Sequence, residues 1–549
     1  MKRILFLLCA LCAFYITYSQ EQNWGQLSGN FQGDFQYYVD DSLIGAPSVP
    51  EKMLMNSFAN FNYSAGKFSA GFRYEGYLNT MLGFPNAGKI NDGVGFPYRW
   101  ASFTTDNFEI TAGSFYEQFG NGLILRTYEQ KMLGLDNALD GARIKFNPVN
   151  GVYIKGLVGK QRYYWDKGPG IVRGIDGEFH LNDIIANWNE KELRVILGGS
   201  FVSKYQKDEN PIYKLPENVG SGAGRLSMNY KGINLSSEYA YKINDPSADN
   251  NYIYKPGQAL LINATYSTKG FGVLLSTKWV DNMSSRSDRD AGLTDLSINQ
   301  LPEISRSHAY SLTAYYPYAT QPNGEWGMQA EIFYHFKRKT ILGGKYGTLI
   351  SANFSRVQSI GMSAINDTTP LGFSGTDGYT SNFFSIGDSL YFQDINIEIS
   401  KKWSKKFKML LIYQNLNYNY DILRGTNEKL MVKAHVAVAD FTYKFKSTIA
   451  LRGEFQALFT DEDKGDWGMA TLEFNIPNWF FSVSDNWNFG NPETSKQFHY
   501  FNGGFGYTSG ASRIQLTYGR QREGITCIGG VCRAVPASNG LMLTISSTF

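Results

Sequence analysis

The chain has 549 residues, of which 15% are aromatic and 18% charged, with 57 glycines and 17 prolines. Its mean hydropathy of -0.30 excludes a bundle of transmembrane helices. Its formal net charge of +3 gives no basic excess for nucleic acid. We therefore expect a strand-rich chain with no nucleic-acid partner, in which strands make any contact with a membrane.

The chain begins with MKRILFLLCALCAFYITYSQ, which reads as a secretory signal peptide. A basic pair precedes an apolar run that is short for a membrane span, and small residues precede a cleavage site before Gln20. We predict a signal peptide over 1–19 and one exported domain over 20–549. The alternative is a lipoprotein in which Cys9 or Cys12 carries lipid, although neither follows the small residue that is usual at such a site.

From Gly25 onward, apolar and polar residues alternate in successive segments, which is the period expected of β-strands. The segments at 27–38, 68–77 and 325–336 each place apolar residues on one face and polar residues on the other. In a β-sandwich one face of each strand is buried and the other faces solvent, which gives alternating apolar and polar residues. A membrane barrel gives the same alternation, with one face toward lipid and the other toward the lumen. Alternation alone does not separate these two folds.

The connection YEQFGNGLILRTYEQKMLGLDNALDG, at 116–141, is unusually apolar for a loop. Its leucines and isoleucine need cover, and a loop folded into the lumen of a barrel would provide it. We predict a pore constriction at this loop, with Arg126, Glu129 and Lys131 at the narrowing. The alternative is an extracellular loop that packs on its neighbours.

Short turns tend to alternate with long polar loops along the chain. The short turns include 64–66, 147–150, 269–270 and 475–478, and the long loops include 39–51, 203–220, 281–307 and 521–540. Short turns at one end and long loops at the other are typical of outer-membrane barrels. The connections therefore favour a barrel with short periplasmic turns and long extracellular loops.

Two acidic segments raise the question of a bound cation. SDRDAGLTD, at 287–295, and TDEDKGDWG, at 460–468, carry carboxylates that calcium accepts, but neither fits the full calcium-loop pattern. We interpret both as solvated loop tips and predict no metal site.

The segment AVADFTYKF has the length expected of a strand that spans a membrane. Alternate residues from Ala437 to Phe445 form an apolar stripe over about nine residues, the length that a tilted membrane-spanning strand needs. We count about 25 such strands, and an even number is required if both termini are periplasmic. The prediction is a single transmembrane antiparallel barrel of roughly 24 to 26 strands. The strand count is weakest at 282–308, where TDLSINQL could hide a strand, and at 357–388.

The segment ITCIGGVCRAVP contains Cys527 and Cys532, the only cysteines left after removal of the signal peptide. Gly529 and Gly530 suit a two-residue hairpin turn, which places the cysteines opposite each other at about 4.5 Å between Cα atoms. We predict a disulfide in an exposed extracellular loop. A metal pair would need further ligands nearby, and a redox pair usually has the C-x-x-C spacing.

The chain ends with LMLTISSTF, in which Leu541, Leu543, Ile545 and Phe549 share one face. This segment looks like the C-terminal signal strand that the barrel-assembly machinery recognises. In a closed barrel it would pair with the first strand, so that no edge remains. The alternative is a secreted soluble all-β protein that ends in Phe.

Catalysis has little support in the sequence. The five histidines are scattered, and no nucleophile elbow, zinc-protease or phosphate-loop motif occurs. We therefore predict that the protein is not an enzyme and has no catalytic residues and no cofactor.

Two stretches carry a family resemblance: GSFYEQFGNGLILRTYE at 113–129 and YGRQREGITCIGGVCRAVPASNG at 518–540. They resemble a family of uncharacterised outer-membrane barrels from Bacteroidota-type bacteria, over nearly the whole mature chain. The resemblance implies a barrel fold and an outer-membrane location, but no established activity. In such bacteria, barrels also serve as subunits of large secretion, uptake or assembly complexes.

A barrel of this size without a separate plug domain encloses a lumen wide enough for water. We therefore predict an integral outer-membrane barrel that acts as a porin-like passive channel for small solutes. The alternative is a non-enzymatic barrel subunit of a larger outer-membrane complex. Protein partners would then bind long loops such as 357–388, whose aromatic residues include Phe373, Tyr379, Phe383 and Phe384.

Overall fold

The computed structural model describes residues 25–84 and 93–549. Within these ranges the chain forms a closed antiparallel barrel of 24 strands. The first strand, Gln26–Tyr38, pairs with the second and also with the last, Ser538–Thr548, so the sheet has no free edge. The predicted fold and strand number are confirmed. The predicted signal peptide over 1–19 lies outside the described residues.

We number the barrel strands β1 to β24 in chain order. They are β1 Gln26–Tyr38, β2 Met53–Ala65, β3 Phe68–Leu78, β4 Val94–Thr104, β5 Phe108–Phe115, β6 Leu139–Phe146, β7 Val152–Tyr163, β8 Asp166–His180, β9 Arg194–Tyr205, β10 Asn218–Tyr230, β11 Ile233–Lys242, β12 Gly257–Thr268, β13 Phe271–Asp281, β14 Gly324–Phe336, β15 Thr348–Ser363, β16 Thr380–Lys402, β17 Phe407–Asn419, β18 Met431–Lys446, β19 Ile449–Phe459, β20 Trp467–Ile476, β21 Trp479–Trp487, β22 His499–Ser509, β23 Ser512–Gln521 and β24 Ser538–Thr548.

A few short elements lie outside the barrel wall. Two hairpins pair Glu129–Gln130 with Leu135–Asp136 and Gly524–Ile528 with Val531–Val535. Short α-helices span Leu181–Ile184 and Tyr420–Arg424, and 3₁₀ turns span Ser42–Ile44, Lys131–Leu133, Ala248–Asn250 and Thr494–Lys496. None of the helices in the described ranges is long and apolar enough to cross a membrane.

The two ends of the barrel differ in the length of their connections. At one end, called the turn end, tight turns such as 66–67 and 269–270 join neighbouring strands. At the other, called the loop end, most connections are long, and the longest described one is 282–323. This segment adds no strand to the barrel wall, so the strand suspected within 282–308 does not exist.

The outer surface of the barrel is apolar. On β18, alternate residues from Ala437 to Phe445 face outward, as predicted, while their neighbours face the lumen. Near the turn end, aromatic rings form a chain along the outer surface, with centroid distances of 6.2, 6.4 and 4.8 Å between successive rings. The rings belong to Tyr266, Phe271, Tyr334 and Phe336. An apolar band with an aromatic girdle is the surface that a bilayer covers.

Candidate functional site: the barrel lumen

The apolar loop between β5 and β6, residues 116–138, lies inside the barrel. Phe119, Leu123 and Leu125 are fully buried, and they pack against inward side chains of the wall from β7 to β13. Gly174 on β8 makes room for this contact, because a Cβ atom there would lie 2.7 Å from the Phe119 ring. Burial of these residues explains why a loop has so apolar a sequence.

A network of charges fixes the same loop to the wall. Arg73 on β3 lies 2.9 Å from a carboxylate oxygen of Glu129 and 2.9 Å from one of Asp136. Arg162 on β7 lies 2.5 Å from Asp136 and 2.7 Å from Glu75. Burial raises the pKa of Glu129, and the guanidinium of Arg73 opposes this shift. Because each buried carboxylate has a guanidinium partner, the loop is held in one position.

The structure brings two of the three predicted constriction residues together. Glu129 and Lys131 line one cavity of about 70 Å³, and the Lys131 ammonium lies 4.6 Å from the centroid of the Phe58 ring on β2. Arg126 does not line this cavity; its guanidinium lies 4.7 Å from the centroid of the Tyr128 ring. The role of these residues at a narrowing stays a prediction.

A second connection, the lumen segment 282–323, also lies inside the barrel. Ile298 and Ile304 pack in the same apolar cluster as the 116–138 loop. Further along, Leu312 and Tyr316 pack against inward residues of β15 to β20. The interpretation of 281–307 as an extracellular loop is therefore wrong, because the segment folds into the lumen and packs against the wall from β7 to β20.

Three lysines of the wall hold the first part of the lumen segment. Lys204 on β9, Lys242 on β11 and Lys278 on β13 point inward, and their side chains are 2%, 0% and 0% exposed. Each ammonium group donates a hydrogen bond to a backbone carbonyl of the segment. The acceptors are Arg286, Ser284 and Pro302, in that order.

Buried carboxylates balance these lysines. Asp245 lies 2.7 Å from the ammonium of Lys204, and Glu325 on β14 lies 2.5 Å from that of Lys278. Glu325 also accepts hydrogen bonds from the Tyr318 hydroxyl and, at 2.7 Å, from the backbone N–H of Gln321. Removal of one partner would leave an uncompensated buried charge, which makes the arrangement costly to disturb.

The second part of the lumen segment is anchored further along the same wall, on β16 and β18. Arg306 donates to Glu398 on β16 at 2.8 Å, and the Nε2 atom of His308 lies 2.7 Å from Asp394. Tyr310 donates to Asp440 on β18 at 2.9 Å. The segment is thus bonded to wall strands from β9 to β18.

The two acidic segments are more than solvated loop tips, which corrects that interpretation. Asp463 accepts a hydrogen bond from the Tyr316 hydroxyl at 3.0 Å, and burial raises the pKa of Tyr316. Asp295 is half-buried and accepts from Tyr164 at 3.5 Å. Both carboxylates therefore help to fix the lumen segment. Among the described residues, no cluster of three potential metal ligands occurs.

Cys527 and Cys532 form a disulfide across the hairpin, and Gly529 and Gly530 form its turn with φ values of 58° and 79°. Such positive φ values suit glycine. The two cysteines are half-buried, so the prediction of an exposed loop is wrong.

The disulfide hairpin covers both lumen-filling segments at the loop end. Gln300 donates to the Gly529 carbonyl at 2.9 Å, and the Thr320 N–H donates to the Gly530 carbonyl at 3.1 Å. Arg533, just after the hairpin turn, donates to the Met132 carbonyl at 3.2 Å. The hairpin thus connects the lumen segment with the 116–138 loop.

One part of the wall has a different lining. We call the inward face of β21 to β24, β1 and β2 the neutral sector, because it carries mainly amide and hydroxyl side chains. Asp34 and Arg513 are the charged residues at its inward positions. The sector includes Gln32, Ser482, Ser484, Asn502, Thr517 and Thr544, all of which keep partial exposure.

The neutral sector is covered at the loop end, where its inward residues are buried. Asn486 at the end of β21 is 8% exposed, and Ser538 at the start of β24 is 4% exposed. The connection that carries the disulfide hairpin begins and ends in this sector, since it joins β23 to β24.

The C-terminal residues lie where the barrel closes. Leu541, Leu543 and Ile545 face outward on β24. Phe549 follows the strand, and its backbone exchanges hydrogen bonds of 2.9 and 3.0 Å with Gly29. Recognition of this strand by the barrel-assembly machinery stays a prediction.

Half of the predicted partner loop at 357–388 is strand, because β15 ends at Ser363 and β16 begins at Thr380. Phe383 and Phe384 belong to β16, and the Phe383 ring lies 4.2 Å from that of Trp279 on β13. Tyr379 donates its hydroxyl hydrogen to Asp281 at 2.5 Å. These rings take part in the fold itself.

A family model described as a family of unknown function, DUF6029, matches residues 1–549. The chain belongs to this family. In a comparison with curated proteins, none matches this DUF6029 chain. The expected membership of an uncharacterised family is consistent with this finding, and the bacterial group stays a prediction.

Several solved structures are similar to this DUF6029 barrel in fold. The translocation pore of the P pilus usher PapC is 9% identical, with 95% of this chain and 99% of that chain covered, at a TM-score of 0.44. The siderophore receptor PirA from Pseudomonas aeruginosa is 9% identical, with coverage of 96% and 82% and a TM-score of 0.40. OccAB3 from Acinetobacter baumannii is 11% identical, with coverage of 95% and 99% and a TM-score of 0.34.

Proposed function

We propose that this protein is an integral outer-membrane barrel through which small, uncharged polar solutes diffuse along the neutral sector. The apolar outer band and its aromatic girdle support the membrane location, because they match the surface that lipid covers in such barrels. The proposal includes transport without catalysis and without a cofactor.

The observation that carries the proposal is the difference in exposure between inward residues. Lys242 and Lys278 are fully buried under the lumen segment, whereas Ser484 and Thr517 keep partial exposure. The fixed lumen segment would therefore restrict the passage without filling the whole cross-section. A lumen of this strand number is wide enough to leave room for water beside it.

The lining determines what would pass. Amide and hydroxyl groups exchange hydrogen bonds with water and with solute hydroxyls at little net cost. The few charges of the sector give no strong field for ions of either sign. We therefore expect sugar-like and other uncharged polar solutes to pass, with weak ion selectivity.

Two neighbouring cysteine variants test the proposal. Ser484→Cys places a thiol in the lumen and Val483→Cys places one on the outer face, where Val483 is 56% exposed. A charged, membrane-impermeant thiol reagent should reduce the conductance of the S484C barrel in a planar bilayer. The V483C barrel should not respond. A wild-type barrel that shows no conductance would contradict the proposal.

The anchoring of the lumen segment favours one further candidate, a barrel subunit of a larger outer-membrane complex. A barrel that does not conduct would also fix a long segment in its lumen by several buried ion pairs. This candidate predicts a silent barrel that co-purifies with stoichiometric protein partners in mild detergent. The proposed channel predicts conductance from the isolated chain.

A further inference from the structure

We propose that the turn end of the barrel carries a binding surface for the headgroups of anionic phospholipids. This surface, the basic rim, comprises residues 337–345, 401–408 and 444–446. These ranges contain eleven lysine and arginine residues and no aspartate or glutamate. The proposal rests on the membrane location proposed above, but it does not depend on conduction through the lumen.

The three ranges form one continuous surface. The ammonium of Lys401 donates to the Leu342 carbonyl at 3.3 Å, which joins the first range to the second. The backbone N–H of Lys444 donates to the Lys406 carbonyl at 2.7 Å, which joins the second range to the third. The sequence separation between the ranges therefore conceals their proximity.

The positive charge of the basic rim is not balanced within the described chain. No carboxylate of the described residues lies within 4.0 Å of a cationic group of the rim, and all its cations except Lys401 are exposed. By contrast, exposed lysines at the loop end, such as Lys207 and Lys496, have a glutamate partner. Clustered like charges repel one another, so an anionic ligand would relieve an unfavourable interaction.

Exposed apolar residues accompany these charges. Ile341 is 100% exposed and Leu342 is 57% exposed at the tip of the turn, and Trp403 is 53% exposed at the next one. The Lys401 ammonium lies 4.5 Å from the centroid of the Trp403 ring. A tip of this kind is unfavourable in water but suits the boundary between headgroups and acyl chains.

The position of the rim selects lipid as the ligand. The strands that lead into it carry the outward aromatic pairs Tyr334–Phe336 and Tyr443–Phe445. Such pairs mark the level of the membrane interface, so the adjacent lysines lie at the height of the phosphates. An acidic protein would satisfy the charges but would leave no reason for Ile341 and Leu342 to point into solvent beside the girdle.

Lipid binding by the purified barrel tests the proposal. The barrel in non-ionic detergent is titrated with phosphatidylglycerol or phosphatidylcholine, and bound lipid is counted by native mass spectrometry. The test variant is K337Q/K339Q/K405Q/K406Q, and the control is K207Q/K429Q/K433Q/K496Q at the loop end. Heat-dependent gel migration verifies that both variants are folded.

We expect the wild type and the control to prefer phosphatidylglycerol over phosphatidylcholine. The rim variant should bind phosphatidylglycerol at least about tenfold more weakly than the wild type, since each interfacial lysine contributes to this attraction. Inorganic phosphate should not displace the lipid. Equal binding of both lipids, full affinity in the rim variant, displacement by phosphate, or binding of polyglutamate instead of lipid would each overturn the proposal. A silent barrel that still binds phosphatidylglycerol would refute the channel alone.

Discussion

The lumen has two walls of opposite character. From β3 to β19 the inward residues include buried charges, such as Arg73, Lys204, Lys278 and Glu325, and each is bonded to a segment that fills the lumen or to a neighbouring charge. In the neutral sector the inward residues are mostly uncharged and partly exposed. The barrel thus has charged side chains where its wall binds a lumen-filling segment, and uncharged polar side chains where its wall faces water.

The physical reason for this division is the cost of burial. An irregular segment inside a barrel has backbone carbonyls that need hydrogen-bond donors. A lysine ammonium group provides three N–H donors. A buried ammonium then needs a carboxylate. Amides and hydroxyls that face water need no such partner, because water supplies their hydrogen bonds.

The largest expected effect comes from the charged wall. Lys278→Met leaves Glu325 buried without its cation, and we expect a loss of about 3–5 kcal/mol in the free energy of unfolding. Urea unfolding in detergent, followed by tryptophan fluorescence, measures this loss. The exposed pair of Lys207 and Glu209 provides the control, so K207M should leave the unfolding curve unchanged. Equal curves for K278M and the wild type would show that the wall does not hold the lumen segment.

Removal of the disulfide should have the next largest effect. The variant C527A/C532A loses about 2 kcal/mol of constraint on the hairpin. Hydrogen exchange at the Thr320 amide should become faster, because its acceptor is the Gly530 carbonyl. Amides of β23 should keep their rates. Unchanged exchange at Thr320 would show that the hairpin does not fix the lumen segment.

A smaller loss is expected from Tyr316→Phe. This variant keeps the ring in its apolar cluster but removes the hydrogen bond to Asp463, so we expect a loss of about 1 kcal/mol. The same urea experiment measures it. A change larger than that of K278M would indicate that the hydrogen bond to Asp463, and not the buried ion pairs, dominates the anchoring.

The smallest effect on stability is expected in the neutral sector. Ser484→Trp places a large side chain on a water-facing wall, where most substitutions change stability by less than about 0.5 kcal/mol. Conductance should nevertheless fall, because the ring occupies part of the passage. Strong destabilisation by S484W would show that this wall is packed like the other.

The sequence predicted the barrel because the alternation of residues reports directly on a wall with a lipid side and a lumen side. It also predicted that Cys527 and Cys532 face each other, since the Gly529-Gly530 turn fixes the hairpin register. Both features depend on contacts that are local along the chain or between consecutive strands.

The path of the lumen segment was missed because its contacts are distant in sequence. Arg306, for example, bonds to Glu398. The sequence of β18 did contain a signal that the lumen is filled there. Its outward face is apolar from Ala437 to Phe445, as expected for contact with lipid, but its inward face is apolar too. The inward residues are Val432, Ala434, Val436 and Val438. A strand with an apolar lumen face requires a cover, and the tyrosine-rich stretch at 310–318 supplies it.

The most direct test compares two inward residues from the two walls. Thr517→Cys lies in the neutral sector, and Ala240→Cys lies beneath the lumen segment, where Ala240 is 0% exposed. In folded, membrane-embedded protein, a charged thiol reagent should label T517C quickly and leave A240C unreacted until the barrel is unfolded. Protection of T517C, or rapid labelling of A240C, would contradict a lumen that is filled on one side and wet on the other.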